Sequence, residues 1–363
     1  MSAAYITPPA ATAGSTAAMK PAGSAAWHPD GAAGPDDAWN KLVRLFAQEH
    51  AAAVLPEVDA LAQEIRRRHG AAVQGVLFYG SCLRRSTLQN GILDFYVVVD
   101  SYRNAYPRRI KGTLLSLSNW LMPPNVYYVD ILWEGQRLRM KYNVISQRDF
   151  SKACRPASLH AIIWARFCQP AALVWARDAA VRERLAADSA EAALTLVDLM
   201  LALTPKITDV EDLWQFAFVC TYATELRPET PETIASVYLS APKRYRDVTE
   251  LAVATLTRRG MIVEGRVGGT DAGAGGALEI RMDAARQRAI VRRWGRTSAL
   301  AKTVYLVRLL KSAMTFGDWL PYVIWKLDRH TGVYLELTDR QRRYPLVWGW
   351  PILLRLLRRR TLR

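Results

Sequence analysis

Two short apolar runs, Val73 to Tyr79 and Leu93 to Val99, constrain this chain more than any other feature. Each is bounded by turn-forming residues and is short, apolar and rich in β-branched and aromatic side chains. Both therefore read as buried strands near the centre of a mixed sheet. The stretch that holds them, FYGSCLRRSTLQNGILDFYVVVD from Phe78 to Asp100, places a Gly80-Ser81 turn after the first run and Asp94 at the opening of the second.

The surrounding pattern fixes the order of elements. Asp36 to Gly70 reads as one or two helices, with Leu42, Leu45 and Phe46, then Leu55, Val58, Leu61 and Ile65 at helical spacing, and Gly70 as a C-terminal cap. Ile110 to Leu121 reads as a helix, and Val126 to Leu132 and Leu138 to Ile145 flank Glu134-Gly135 as a hairpin. Residues 36–150 thus predict an α/β domain. Helical patterns follow at Pro156 to Phe167, Arg182 to Thr204, Glu211 to Tyr222 and, with interruptions, Pro231 to Leu256, so 151–262 is expected to be a mostly helical domain. Residues 263–280 are expected to form a flexible glycine-rich loop, since EGRVGGTDAGAGGA from Glu264 to Ala277 holds six glycines. Residues 281–363 form a basic, mainly helical C-terminal region. The fold class is α/β (α+β).

With 363 residues, half of them apolar, the chain can bury a core of two or three domains, and disordered and fibrous classes are excluded. The net charge of +16 is concentrated: Arg281 to Arg363 carries 19 Lys/Arg against 5 Asp/Glu, so 14 of the 16 excess positive charges lie there. A polyanionic partner is implied, either an anionic membrane surface or a nucleic acid. The four cysteines show no close pairing, which fits a reducing cytoplasm. Residues 1–35, rich in Ala, Gly, Pro and Ser, read as a disordered tail with neither a signal-peptide core nor a transit-peptide pattern. No apolar run reaches the 18 or more residues that a spanning helix requires, so any membrane contact is expected to be peripheral.

The Gly-Ser turn carries chemistry when set beside a carboxylate. Gly80 lets the backbone approach a phosphate, Ser81 offers a hydroxyl, and Arg84 and Arg85 add positive charge or form solvated surface. Asp94, emerging beside that turn, suits Mg²⁺ bridging phosphate oxygens. This arrangement resembles the way nucleotidyltransferases hold a nucleoside triphosphate, and the 36–150 domain is expected to be nucleotidyltransferase-like. Asp130, in the apolar run VYYVDIL, is a second candidate ligand, because a buried carboxylate needs a partner and a metal is one remedy. The wider superfamily places a second acid two residues after the first, where this chain has Tyr96.

Several stretches resemble one family within that group, the mitochondrial-type CTP:phosphatidate cytidylyltransferases: YGS at Tyr79 to Ser81, LDF at Leu93 to Phe95, KYNV at Lys141 to Val144, and LTPKITDVEDLWQFAFVCTYATELRPE at Leu203 to Glu229. The resemblance spans roughly residues 40 to 330. That family's pattern has a single acid where this chain has Asp94, and departures stand at Cys82, where the family has Gly, and Asp130, where it has Asn. The resemblance implies CTP as donor and phosphatidate as acceptor, with Ser81 and Asp94 serving CTP and Mg²⁺, Lys141 near the triphosphate, and Glu225 and Arg227 facing the same cleft. Read from the residues alone, Lys141 also suits a hairpin surface, and Glu225 and Arg227 a local ion pair.

The C-terminus matches a lipid substrate. YPLVWGWPILLRLLRRRTLR, Tyr344 to Arg363, joins Trp348, Trp350 and a leucine-rich stretch to five arginines, as a peripheral membrane anchor or as a terminal helix packed on the core. Lys302, Arg308 and Lys311 upstream form a basic face toward phosphatidate or toward solvent. The expected protein is a cytoplasmic enzyme held peripherally at the inner face of the membrane. Nucleic acid is the disfavoured partner, because a contiguous aliphatic, Trp-rich run differs from aromatics scattered for base stacking. Two further readings stand beside it: nucleotide transfer to RNA or a small acceptor, and a membrane-binding protein without activity.

Overall fold

A computed structural model describes residues 37–85, 91–106, 110–158, 161–204, 209–224, 230–267 and 278–315. The elements run α1 (Asp37–His50), α2 (Pro56–His69), β1 (Val73–Tyr79), α3 (Ser81–Arg85), β2 (Leu93–Val99), α4 (Tyr102–Ala105), α5 (Ile110–Leu121), β3 (Asn125–Trp133) and β4 (Gln136–Ser146). They continue with α6 (Gln147–Cys154), α7 (Ala161–Phe167), β5 (Ala171–Ala176), α8 (Ala179–Leu203), α9 (Val210–Tyr222), α10 (Pro231–Leu239), α11 (Pro242–Arg258), β6 (Glu264–Val267), β7 (Leu278–Arg281) and α12 (Ala284–Thr315).

The sheet is mixed and five-stranded, in the order β3-β4-β2-β1-β5, with the two apolar runs at its centre. β1 pairs antiparallel with β2 and β5, β2 pairs parallel with β4, and β3 returns antiparallel to β4. Helices cover both faces, which is why the central strands are apolar throughout rather than alternating. On one face Leu77, Tyr79, Tyr96, Val98 and Ile145 join the residues of α1, α6 to α9 and α11. On the other, Val76, Phe78, Phe95, Val97 and Val144 pack with Val58, Leu61 and Ile65 of α2.

The hairpin between β3 and β4 turns at Glu134 and Gly135, both at positive φ (47° and 78°), the geometry that matches the twist of paired strands. The mostly helical stretch 151–262 also supplies β5, whose sequence AALVWA gave no sign of a strand. Its partner β1 approaches α8 closely at Gly75, where an added Cβ would lie 2.6 Å from a Leu185 methyl. Helix α8 is apolar almost all round over Leu185 to Ala202, as a helix enclosed by others must be. Its buried Asp198 accepts two hydrogen bonds from Arg286, at 2.8 and 2.7 Å, which ties α12 to the core. The stretch expected as a glycine-rich loop is paired at both ends, β6 against β7; its centre, 268–277, lies outside the described residues, as do the tail 1–35 and the segment 344–363.

Candidate functional site

β1 ends at Tyr79 and the chain turns sharply at Gly80, whose φ of +95° is a conformation that an L side chain rarely adopts. A Cβ at Gly80 would stand 3.4 Å from Oδ2 of Asp94. The turn backbone and the carboxylate therefore occupy one place. Ser81 follows, exposed, and the amide of Arg84 donates to the Gly80 carbonyl at 3.2 Å to close the first turn of α3. Gly80→Ala is expected to lower stability by about 1–3 kcal/mol, the usual cost of a strained backbone position, read by urea denaturation.

The register of the strands assembles the rest. Asp94 pairs with Tyr79 on β1 and with Lys141 on β4, and Lys141 pairs with Tyr128 on β3. Paired residues project to the same face, so Tyr79, Asp94, Lys141 and Tyr128 form one row across four strands. Asp94 and Lys141 are half-buried, whereas Tyr79 and Tyr128 are buried. One row deeper, the Asn143 amide donates to Tyr79 Oη and to the Phe95 carbonyl, each at 3.2 Å, locking β4 to β1 and β2 beneath the turn. Sequence reading passed over Asn143, although it lies within the KYNV stretch.

Tyr96 occupies the position two residues after Asp94. It is 1% exposed, with its ring 5.0 Å from Phe167 and 5.5 Å from Tyr79, centroid to centroid. A carboxylate there would face packed aromatic rings, so the single acid is a consequence of how this face is filled.

Asp130 sits elsewhere. It pairs with Arg139, one row beyond Lys141 and two strands from Asp94, which at ordinary strand spacings places the two aspartates about 12 Å apart. Its side chain is 44% exposed and 3.4 Å from Arg137. The burial that made it a metal candidate is absent, because β3 is an edge strand and this position faces out. Among the described residues no group of three His, Cys, Asp or Glu gathers in one place. The donor set beside the turn is a single carboxylate, which fits Mg²⁺ arriving on a triphosphate, since that ion keeps waters and phosphate oxygens as most of its ligands.

Arg84 reaches away from the turn mouth: its Nη1 donates to Gln169 Oε1 at 2.7 Å, and Gln169 donates onward to Tyr222 Oη at 3.2 Å. This relay joins the Gly-Ser motif to the end of α9, just before Glu225 and Arg227, which with Arg85's side chain lie outside the described residues. Cys82 contacts the Ile92 carbonyl at 3.5 Å and so ties α3 to the residue before β2.

Cations from α7 and α12 border the same sheet face. The Arg166 guanidinium lies over the Tyr79 ring at 5.9 Å. Burial lowers the Arg308 pKa, the nearby Tyr96 raises it and Arg166 lowers it further. Lys311 donates to the Pro124 carbonyl at 2.8 Å and to that of Met122, and burial, with Arg308 beside it, pushes its pKa down to about 7. Lys302 stays exposed, so the basic face read from sequence divides: Arg308 and Lys311 turn inward, Lys302 does not.

A pH effect follows. Below about pH 7 Lys311 is protonated in both folded and unfolded chains, whereas above it only the unfolded chain keeps the proton, so stability rises with pH from about 7 toward 10. Lys311→Met is expected to flatten that rise, measured by urea denaturation at pH 7 and 9.5.

No protein-family model matches the chain, and no curated protein does. Among solved structures, a nucleotidyltransferase-like protein from Exiguobacterium sibiricum is similar at 11% identity over 62% of this chain and 99% of that one, with a TM-score of 0.23.

Proposed function

We propose that this chain is a Mg²⁺-dependent nucleotidyltransferase that moves the cytidylyl group of CTP to phosphatidate, giving CDP-diacylglycerol and pyrophosphate. The observation that carries the reading is the closeness of the Gly80 turn to Asp94: a positive-φ turn with no side chain, where an added Cβ would stand 3.4 Å from the carboxylate, with Lys141 on the next strand. Phosphate oxygens and a divalent cation need that combination of open backbone, hard anion and adjacent positive charge.

Asp94 would hold Mg²⁺, which when bound neutralises the triphosphate oxygens. Ser81 and the Gly80 turn accept the phosphates, and Lys141 adds charge from β4. A phosphomonoester is largely a dianion at neutral pH, so the acceptor needs no base. Its oxygen attacks the α-phosphorus, the bond from that phosphorus to the bridging oxygen breaks, and pyrophosphate leaves. The basic residues of 281–363 and the Trp-rich segment 344–363 support an anionic lipid acceptor.

The test uses purified full-length chain, Mg²⁺, CTP labelled at the α-phosphate, and either phosphatidate vesicles or RNA. Label in CDP-diacylglycerol is the expected result. Label on RNA and none in lipid would overturn the acceptor assignment.

A further inference from the structure

The end of the sheet opposite the Gly80 turn holds a basic groove. It lies between the last turn of α2, the turn at Gly70 and Ala71, and the end of β5, with a volume of about 590 Å³, and its lining includes Gln63, Arg66, Arg67, Trp175 and Arg177. That volume suits a small molecule. β1 begins in the groove wall at Val73 and runs its seven residues to Tyr79, so the two places stand about 20 Å apart at ordinary strand rise. The groove is separate from the turn.

Its arginines come from two elements and gather at one aromatic ring. Trp175 pairs with Val76 and so lies on the α2 side of the sheet, half-buried, with the Arg66 guanidinium 4.3 Å from its ring centre. Stacking holds the plane of that guanidinium and leaves its N–H groups unspent: among the described residues they meet no hydrogen-bond acceptor and no carboxylate. Arg177, two residues after Trp175, donates to the Ala71 carbonyl, which holds its side chain beside the same turn.

The nearby carboxylates are already committed. Glu64, 3% exposed, accepts from Arg67 at 2.7 and 2.8 Å and from Arg68 at 2.7 Å. Asp59 accepts from Gln63 at 2.7 Å, and Asp178 from the Val181 amide at 2.8 Å. Among the described residues no Asp or Glu lines the groove. Cations in the last turn of α2 complement its carbonyl end, which accounts for the charge of Arg66, Arg67 and Arg68. It does not account for Arg177 arriving from β5, nor for a guanidinium stacked in place with unused donors.

We infer that this groove binds a small anion carrying two or more phosphate groups, a nucleotide or an inorganic polyphosphate. Arg66 and Arg177 take the phosphate oxygens, and Arg67 adds charge at the rim. Guanidinium N–H pairs match phosphate oxygens in spacing and plane. The arginines line a hollow, which favours a compact ligand over the extended phosphate front of RNA. The inference stands apart from the chemistry at Asp94.

Calorimetric titration of the full-length chain with inorganic tripolyphosphate tests it, with CTP in a second arm. EDTA keeps Mg²⁺ away, so that the Asp94 carboxylate repels free polyphosphate from the Gly80 turn. One binding event is expected with tripolyphosphate; tighter binding of CTP identifies a nucleotide as the source of the phosphates, and weaker binding an inorganic polyphosphate. Arg66→Gln and Arg177→Gln, both at exposed positions, are each expected to weaken binding about tenfold, the usual scale for one charge-assisted group. Arg66→Gln should leave the thermal midpoint unchanged. Arg288→Gln, which removes the same charge from an exposed position on α12, should leave binding unchanged. No binding by the unsubstituted chain overturns the proposal. So does an equal loss in Arg288→Gln, which would show attraction to net charge alone, or binding confined to a single-stranded RNA offered in a third arm.

Discussion

Asp94→Ala is expected to lower nucleotidyl transfer by about 10²–10³-fold or more, the usual cost of removing one preorganised electrostatic group from a reacting phosphate, while the thermal midpoint stays within error. The reasoning is local. Asp94 is half-buried at the mouth of the row formed with Tyr79, Lys141 and Tyr128, and its neighbours on β2, Leu93 and Phe95, carry the packing on the opposite face. Removing the carboxylate opens space beside Gly80 without exposing core. Asp94→Asn keeps the shape and discards the charge, so an equal loss in both variants separates charge from shape. Kinetics at saturating CTP, together with thermal unfolding, provide the check. A comparable fall in midpoint would show that Asp94 holds the turn instead of serving the reaction.

Glu49→Ala is expected to have the largest effect on stability, about 3–5 kcal/mol in urea denaturation, the range for stripping one partner from a buried ion pair. Arg244 on α11 extends its Nη2 to Glu49 Oε2 of α1 at 2.9 Å, its Nε to Oε1, and its Nη1 to the Cys168 carbonyl at 2.6 Å. The two side chains are 10% and 20% exposed, and the guanidinium also lies 5.1 Å from the Phe46 ring and 5.2 Å from that of Tyr245. Without Glu49 the cation stays enclosed with the Cys168 carbonyl and two aromatic rings but without that carboxylate. Arg244→Met in the Glu49→Ala background should recover part of the loss, because the stranded charge is gone.

The sequence made the centre of this fold legible and its edges much less so. β1 and β2 announce themselves because enclosure on both faces demands uninterrupted apolar residues, and Glu134-Gly135 between two alternating segments marks its hairpin by turn chemistry alone. β5 was missed since its alanines carry little strand preference and pairing with β1 supplies what the local sequence lacks. Asp130 was misjudged for a related reason: an apolar run around a carboxylate suggests burial, yet only sheet order reveals that β3 is an edge whose Asp130 faces water. Tyr96 shows the reverse. Read as a missing acid, it proves to be a fully enclosed ring whose neighbours Phe150 and Phe167 come from helices far along the chain. At the site, Gly80, Ser81 and Asp94 were visible as a motif, and β-pairing supplied the adjacency of Lys141. The relay from Arg84 through Gln169 to Tyr222 spans 138 positions, and Glu49 with Arg244 spans 195. No short-range pattern encodes such contacts.

Substitution at the α-phosphorus of a nucleoside triphosphate held at the Gly80 turn releases the β- and γ-phosphates together. CTP labelled at the γ-phosphate, incubated with the full-length chain, Mg²⁺ and phosphatidate vesicles, tests this most directly. All released label is expected as pyrophosphate, one for each CDP-diacylglycerol formed, and almost none from Asp94→Ala. Label appearing as orthophosphate, or carried on the lipid, would contradict it.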